Sequence, residues 1–426
     1  MKVLVISHNV FCQTSNMGKT LSAYFEGWDK AELAQIYVHS EVPTSDICHN
    51  YFRFTDSEII KSIFTRKSGT VLTEKDIKRD RVDSRIDTGN AAALYQKARR
   101  RTPFIYFARN LWWKLGKWKT KKLLKWVDEF SPDIIFLASG DYAFIYDIAL
   151  KLAKYKNIPL VVSCMDDYYL YNKNAGRLGG KLVHRRFMKQ VNKTMAYASA
   201  IYPICDKMAK DYGALFQKPC HVLCTPSTIE KPLAYEKGNA ISYIGNLGYH
   251  RNRQLIAIGK ALKSLALDGK PSCIDVYSAE TDEEILAELT EENGICFHGK
   301  ISGDEVLRIM GESRIVIHTE SFNERTRKMV AYSVSTKIAD SLASGTCLLA
   351  YGPAEIASIE YLKENKAAFC ITEEAELEEG LVSLIGSSEL QSALVQNALA
   401  LAKQRHSGSI NRQMIKDTLE EIIKQA

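Results

Sequence analysis

Short apolar runs alternate along this chain with helix-length stretches in which apolar residues recur every three or four positions. In the first half the runs predict strands over 3–7, 134–138, 160–164 and 201–204. In the second half they fall at 241–245, 274–277, 295–298, 315–319, 347–351 and 368–371. Strands that are apolar on both faces and separated by helices belong to parallel sheets covered on both sides. Each half carries its own series. The pattern therefore predicts an α/β protein with two doubly wound, Rossmann-like domains.

Pro219, Pro226, Pro232 and Gly238 punctuate residues 206–240, which places the domain boundary there. The expected division is 1–215 and 216–405, followed by a polar-amphipathic helix over 406–426 that can pack back on the first domain. Residues 40–92 are polar and irregular and read as an insertion in the first domain. A chain of 426 residues is too long for one core, which agrees with two domains.

Composition narrows the class. The longest apolar stretch, 134–150, is interrupted by Asp141 and Asp147, so no membrane-spanning helix is expected. No secretory leader is visible after Lys2. The ten cysteines are scattered without CxxC pairs, as expected of buried thiols in the reducing cytoplasm. Residues 88–127 hold eleven Lys and Arg and no acid. Removing these eleven from 57 bases leaves 46 against 50 acids, so the positive balance is assigned to this one patch. The patch also holds four of the five tryptophans, including Trp112, Trp113 and Trp118 beside Arg109 and Lys114. Bases among tryptophans suit an anionic membrane surface. Nucleic-acid binding and packing of an amphipathic helix on its own domain are the rivals; membrane is favoured over nucleic acid because tryptophan enrichment marks bilayer interfaces.

Several segments carry candidate chemistry. Ser335, Thr336 and Lys337 stand at a predicted helix start, with Asp340 one turn on and Gly345 at its end. Unpaired N–H groups, the helix dipole and a lysine attract phosphate, and the aspartate suits ribose hydroxyls. Gly245-Asn246-Leu247-Gly248 follows a strand, and Arg251 next to it can grip a diphosphate. Asp166 and Asp167 close a strand, where one serves sugar hydroxyls or acid–base work while the other reading is a helix cap. Glu320 ends another strand and can accept from a sugar; His318 reads as a packed strand residue, and His8 ends the first strand. Met17-Gly18-Lys19-Thr20 lacks the first glycine of a phosphate loop, whose place is held by Gln13. Gly18 is left as either a ligand-approach point or a turn.

These residues carry a resemblance. The two-domain pattern resembles the GT-B glycosyltransferases, and the second half is similar to the large retaining family 4. Gly245, Asn246, Leu247 and Arg251 stand at that family's G-R-L-x-x-x-K turn, and Phe297, Gly299 and Ile301 at its F-x-G-x-(V/I) turn. In the E-x7-E signature Asp340 holds the second place and Tyr332 the first. The 335–345 segment is similar to a subgroup of bacterial polysaccharide glycosyltransferases, in which the lysine and small hydroxyls contact the diphosphate. The sugar-facing carboxylate is then Glu320 or Glu324.

The resemblance implies two domains facing across a cleft and transfer of a sugar from a nucleoside diphosphate sugar. The acceptor would be a lipid-linked glycan in bacterial surface polysaccharide synthesis, bound by the first domain. It further implies retention of configuration, no metal and no cofactor. The expected location is cytoplasmic, peripheral on the inner face of the membrane, with no nucleic-acid partner. A GT-B epimerase or phosphorylase, or a non-catalytic partner in a polysaccharide assembly complex, is the alternative.

Overall fold

The computed structural model describes residues 1–13, 16–79, 102–265 and 272–426. The chain divides into two compact units, Met1–Leu223 with Asn411–Ala426, and Cys224–Ile410.

The first unit is built on seven strands: β1 (Val3–Ser7), β2 (Leu33–Tyr37), β3 (Asn50–Arg53), β4 (Thr70–Leu72), β5 (Ile134–Ala138), β6 (Leu160–Cys164) and β7 (Ala200–Pro203). Their order is β4-β3-β2-β1-β5-β6-β7, and every pairing is parallel except the antiparallel edge of β4 on β3. β1, β5 and β6 are buried throughout, as their unbroken apolar sequences require. β2 is interrupted by Gln35, whose buried amide joins Ser7 Oγ (2.8 Å), the Asn9 carbonyl (3.1 Å) and the Phe11 N–H (3.0 Å). The polar residue is satisfied, so the strand tolerates it.

Residues 50–72 extend this sheet and are no insertion. The Asp56–Thr65 helix between β3 and β4 begins on a capping box made by Thr55 and Glu58. The 80–92 part of the expected insertion, and bases 97–101 of the basic patch, lie outside the described residues. The last helix, Gly408–Gln425, buries Ile415 and Leu419 in the first unit's core, and its Thr418 Oγ1 lies 2.5 Å from the Tyr202 hydroxyl.

The second unit has six strands: β8 (Ile241–Ile244), β9 (Ile274–Tyr277), β10 (Ile295–Gly299), β11 (Ile315–Thr319), β12 (Cys347–Tyr351) and β13 (Phe369–Ile371). All pairings are parallel, in the order β10-β9-β8-β11-β12-β13. In both units the chain begins mid-sheet, runs to one edge and returns to build the other. Connections therefore diverge between β1 and β5 in the first unit and between β8 and β11 in the second. Ligands of open α/β sheets bind at such switch points, outside the carboxyl ends of the strands.

Candidate functional site

At the second unit's switch point, the turn after β8 and the end of β11 face the same crevice. The Tyr243 hydroxyl donates to the Asn246 carbonyl (2.6 Å), and the Gly248 N–H donates to Asn246 Oδ1 (2.6 Å). A methyl group on Gly245 would sit 2.7 Å from the Tyr243 hydroxyl and 2.8 Å from the Lys337 ammonium, so the missing side chain is what lets these two groups close on the turn. Tyr249 and His250 then adopt left-handed backbone, with φ of 64° and 62°. Consecutive non-glycine residues in that region store strain, which clusters at binding sites. The Arg251–Leu265 helix starts directly after them.

Arg251 does not stand free to meet a diphosphate. Its Nη2 donates to both oxygens of Glu320 (2.8 and 3.0 Å) and its Nε to the Thr319 carbonyl (3.1 Å). The two residues expected to hold diphosphate and sugar separately are thus joined to each other. Burial raises the Glu320 carboxyl above its ordinary range although Arg251 opposes the shift. Beside them, burial pushes His318 down to about 3, helped by Arg251 and Lys337, so its ring is neutral and meets Ser358 Oγ at 3.0 Å.

Lys337 opens the short Lys337–Ala343 helix after Thr336, whose hydroxyl makes no cap bond; Ser335 accepts the Ile338 N–H (3.0 Å). The Lys337 side chain is open to water but lies in a recess, where lost hydration and then the Arg251 charge lower its ammonium to about 8. Asp340 Oδ1 accepts from Ser227 Oγ (2.9 Å), the Thr228 N–H (2.7 Å) and Thr228 Oγ1 (3.0 Å), anchoring the start of this unit. Gly299 ends β10 with φ of 74°, and Ile301 follows in the loop before the Gly303–Glu312 helix. Both lie at the same carboxyl edge of the sheet. Of the two sugar-facing candidates, Glu324 is exposed and paired with Lys328 (2.6 Å), whereas Glu320 is buried.

The first unit's switch point carries His8, after β1, against Gly140, after β5. Burial and then Arg109 lower His8 to about 3, and its Nε2 is enclosed without a partner among the described residues. Nearby, Asp167 accepts from the N–H groups of Tyr169, Leu170 and Tyr171 and from the Tyr212 hydroxyl (2.9, 2.8, 3.0 and 2.6 Å). It is engaged in shaping its loop, and Asp166 Oδ1 accepts the Asp167 N–H (3.0 Å). A small, half-open recess lined by Tyr106, Asp141, Tyr168, Asn172, Lys173 and His184 lies in this unit. Rings with an amide, a carboxylate and a cation suit a hydroxylated ligand. Gly18 is buried in the first turn of the Asn16–Phe25 helix.

The expected membrane residues divide. Trp113 is 1% exposed, stacked on Phe144 at 4.2 Å, and donates to Asp56 (2.8 Å). Arg109 binds the same carboxylate (3.0 Å) and covers the Tyr142 ring at 4.2 Å. Trp118 is buried as well. These three are core, and only Trp112 and Lys114 face solvent. Sequence reasoning also missed Tyr243, Tyr249 and His250, for which residue type gave no signal, and the Arg109–Asp56 pair, whose partners are far apart in the chain.

Residues 266–414, about a third of the chain, match the family described as Glycosyl transferase-like. No curated protein sequence matches the chain. Among solved structures, HepE from Anabaena in complex with UDP aligns with a TM-score of 0.60 at 14% identity, over 99% of this chain and 100% of its own. The UDP-forming trehalose-phosphate synthase of Burkholderia xenovorans in complex with glucose-6-phosphate aligns at 0.60 and 8% identity, over 99% and 100%. Sucrose-phosphate synthase from Thermosynechococcus elongatus aligns at 0.58 and 8%, over the whole of both chains. At such identities the likeness is one of fold, and the fold is GT-B. Fold and family match together support a glycosyltransferase.

Proposed function

We propose that this protein transfers a sugar from a nucleoside diphosphate sugar held at the second unit's switch point. The observation that carries the reading is the Lys337 ammonium set against the glycine turn at Gly245, beside the Arg251–Glu320 pair. The turn lets a diphosphate approach the backbone, and Lys337 meets the charge that grows on it as it leaves. Ser335 and Thr336 add hydroxyl contacts, Asp340 and the Gly299–Ile301 turn serve the nucleoside, and Glu320 faces the sugar. Structures of HepE are described in complex with UDP and with UDP-glucose, which favours a nucleotide-linked donor here.

In the proposed reaction the bond from the anomeric carbon to the diphosphate breaks and one to the acceptor hydroxyl forms on the same face. The hydroxyl proton passes to the departing diphosphate. No divalent ion is invoked, because Lys337 supplies the compensating charge. Asp166 and His8 belong to the acceptor side, in the first unit. The acceptor is taken to be a lipid-linked glycan of bacterial surface polysaccharide synthesis, met at the cytoplasmic face of the membrane. Among the described residues no helix is long and apolar enough to cross a membrane.

The test is release of nucleoside diphosphate from a panel of donor sugars, with and without a bacterial lipid extract. Acceptor-dependent release with label entering the lipid fraction is expected. Release that ignores the acceptor, or none with any donor, contradicts the proposal.

A further inference from the structure

Two acid-free stretches of the sequence meet on one face of the first unit. One contains the Pro103–Leu115 helix. The other runs from Tyr168 to Cys205 with seven bases and no acid, and contains the Gly180–Tyr197 helix. On that second helix Lys181, Arg185, Lys189 and Lys193 recur every fourth residue and are exposed, with exposed Arg186 beside them. Positive balance therefore has two sources in this chain, residues 88–127 and residues 168–205, and not the first patch alone.

The Pro103–Leu115 helix turns Tyr106 and Trp113 inward. Its opposite side presents Phe104, Phe107, Leu111 and Leu115, which are 76%, 40%, 38% and 52% exposed. Their spacing of three, four and four residues forms one stripe along the helix. The Arg186 guanidinium lies 5.4 Å from the Phe107 ring, so the apolar stripe and the basic row adjoin. Leu178 and Leu182, also exposed, extend the apolar area at the start of the basic helix. A water-facing helix ordinarily carries polar residues there, and a basic helix ordinarily carries acids that pair with its bases.

We infer that this face docks on an anionic lipid bilayer. The bases meet the phosphate headgroups, and the stripe enters the boundary between headgroups and acyl chains. A polynucleotide would use the bases and could stack on Phe104 and Phe107, but it gains nothing from burying Leu111, Leu115, Leu178 and Leu182, whereas a bilayer rewards their burial. The same two helices supply Tyr106, Val183, His184 and Phe187 to the polar recess of this unit. Docking would hold that recess near lipid headgroups, which deepens the proposed transfer to a lipid-linked acceptor and rests on that reading.

Co-sedimentation of the full chain with phosphatidylcholine vesicles, with and without phosphatidylglycerol, tests the inference. Binding is expected only with the anionic lipid. It should weaken about thirtyfold or more in the double variant Arg185→Glu/Lys189→Glu, since each base near the surface contributes about fivefold. It should also weaken in Phe104→Ser/Leu111→Ser, which a purely electrostatic contact would not. Thermal shifts with nucleoside diphosphate sugars, run on the same samples, should be unchanged by both variants. Equal binding to neutral vesicles, full binding by either variant, or tighter binding of a single-stranded RNA oligomer overturns the docking surface. A chain that obeys the vesicle pattern but gains no stability from any donor sugar would leave the docking surface standing and remove the transferase reading.

Discussion

Arg251 and Glu320 are bound to each other where β11 ends, with Nη2 of the arginine 2.8 and 3.0 Å from the two carboxylate oxygens. Glu320 is 1% exposed, so neither charge can easily turn to water if its partner is lost. The pair largely cancels itself, which leaves Lys337 to supply positive charge to a diphosphate. Glu320→Ala strands a buried guanidinium and should lower unfolding free energy by about 3 kcal/mol. Glu320→Gln keeps an acceptor for Arg251 and should cost less. Urea unfolding of the two variants checks the order.

Donor affinity should depend on pH through Lys337. Its ammonium is lowered to about 8 by lost hydration and then by Arg251. Protonation is complete well below that pH and is lost as pH rises through it, so nucleoside diphosphate affinity of the free protein should fall above about 8. The stability sign is opposite. Between about 8 and 10.5 the unfolded lysine keeps a proton that the folded one has released, so this group's contribution to stability rises with pH. Calorimetric titration at a series of pH values reads the first effect.

Gly245→Ala should damage the site without unfolding the unit. The added methyl would lie 2.8 Å from the Lys337 ammonium and 2.7 Å from the Tyr243 hydroxyl, both ends of movable side chains. The lysine must move, and affinity for the diphosphate should drop about tenfold, the equivalent of one lost charge-assisted hydrogen bond. Nucleoside affinity should barely change. Comparing a nucleoside diphosphate with its nucleoside separates the two.

The neighbouring tryptophans should behave as opposites. Trp113 is buried, stacked on Phe144 and bonded to Asp56, so Trp113→Ala should cost about 3–5 kcal/mol. Trp112 is 41% exposed, and Trp112→Ala should cost less than about 1 kcal/mol. Thermal unfolding distinguishes them directly.

Apolar continuity made most of both sheets legible in the sequence. Val3–Ser7, Ile134–Ala138 and Cys347–Tyr351 are strands because every residue in them is buried, and such runs leave an unmistakable trace. β2 escaped because Gln35 breaks its run, and only the three-dimensional neighbours Ser7, Asn9 and Phe11 make that glutamine acceptable. In the candidate site, glycines and charges were visible at Gly245, Arg251, Glu320 and Lys337, but not who binds whom. The Arg251–Glu320 pairing joins residues 69 positions apart, and no spacing rule encodes it. The tryptophan-rich block misled for a related reason. Trp113 and Trp118 group with Trp112 by composition, although one step of helical phase, about 100°, carries Trp113 into the core and Trp118 lies beyond the helix. The Lys181–Lys193 row was readable as an acid-free run but has no tryptophan to draw notice.

The central claim is that Lys337 holds the donor's diphosphate, and titration calorimetry of ADP, CDP, GDP, UDP and dTDP against wild type and Lys337→Ala tests it most directly. One of these nucleotides should bind the wild type and lose about thirtyfold or more in a variant whose thermal unfolding is unchanged, since a charged hydrogen-bond donor contributes about 2 kcal/mol or more. Equal affinity in the two proteins would contradict the account.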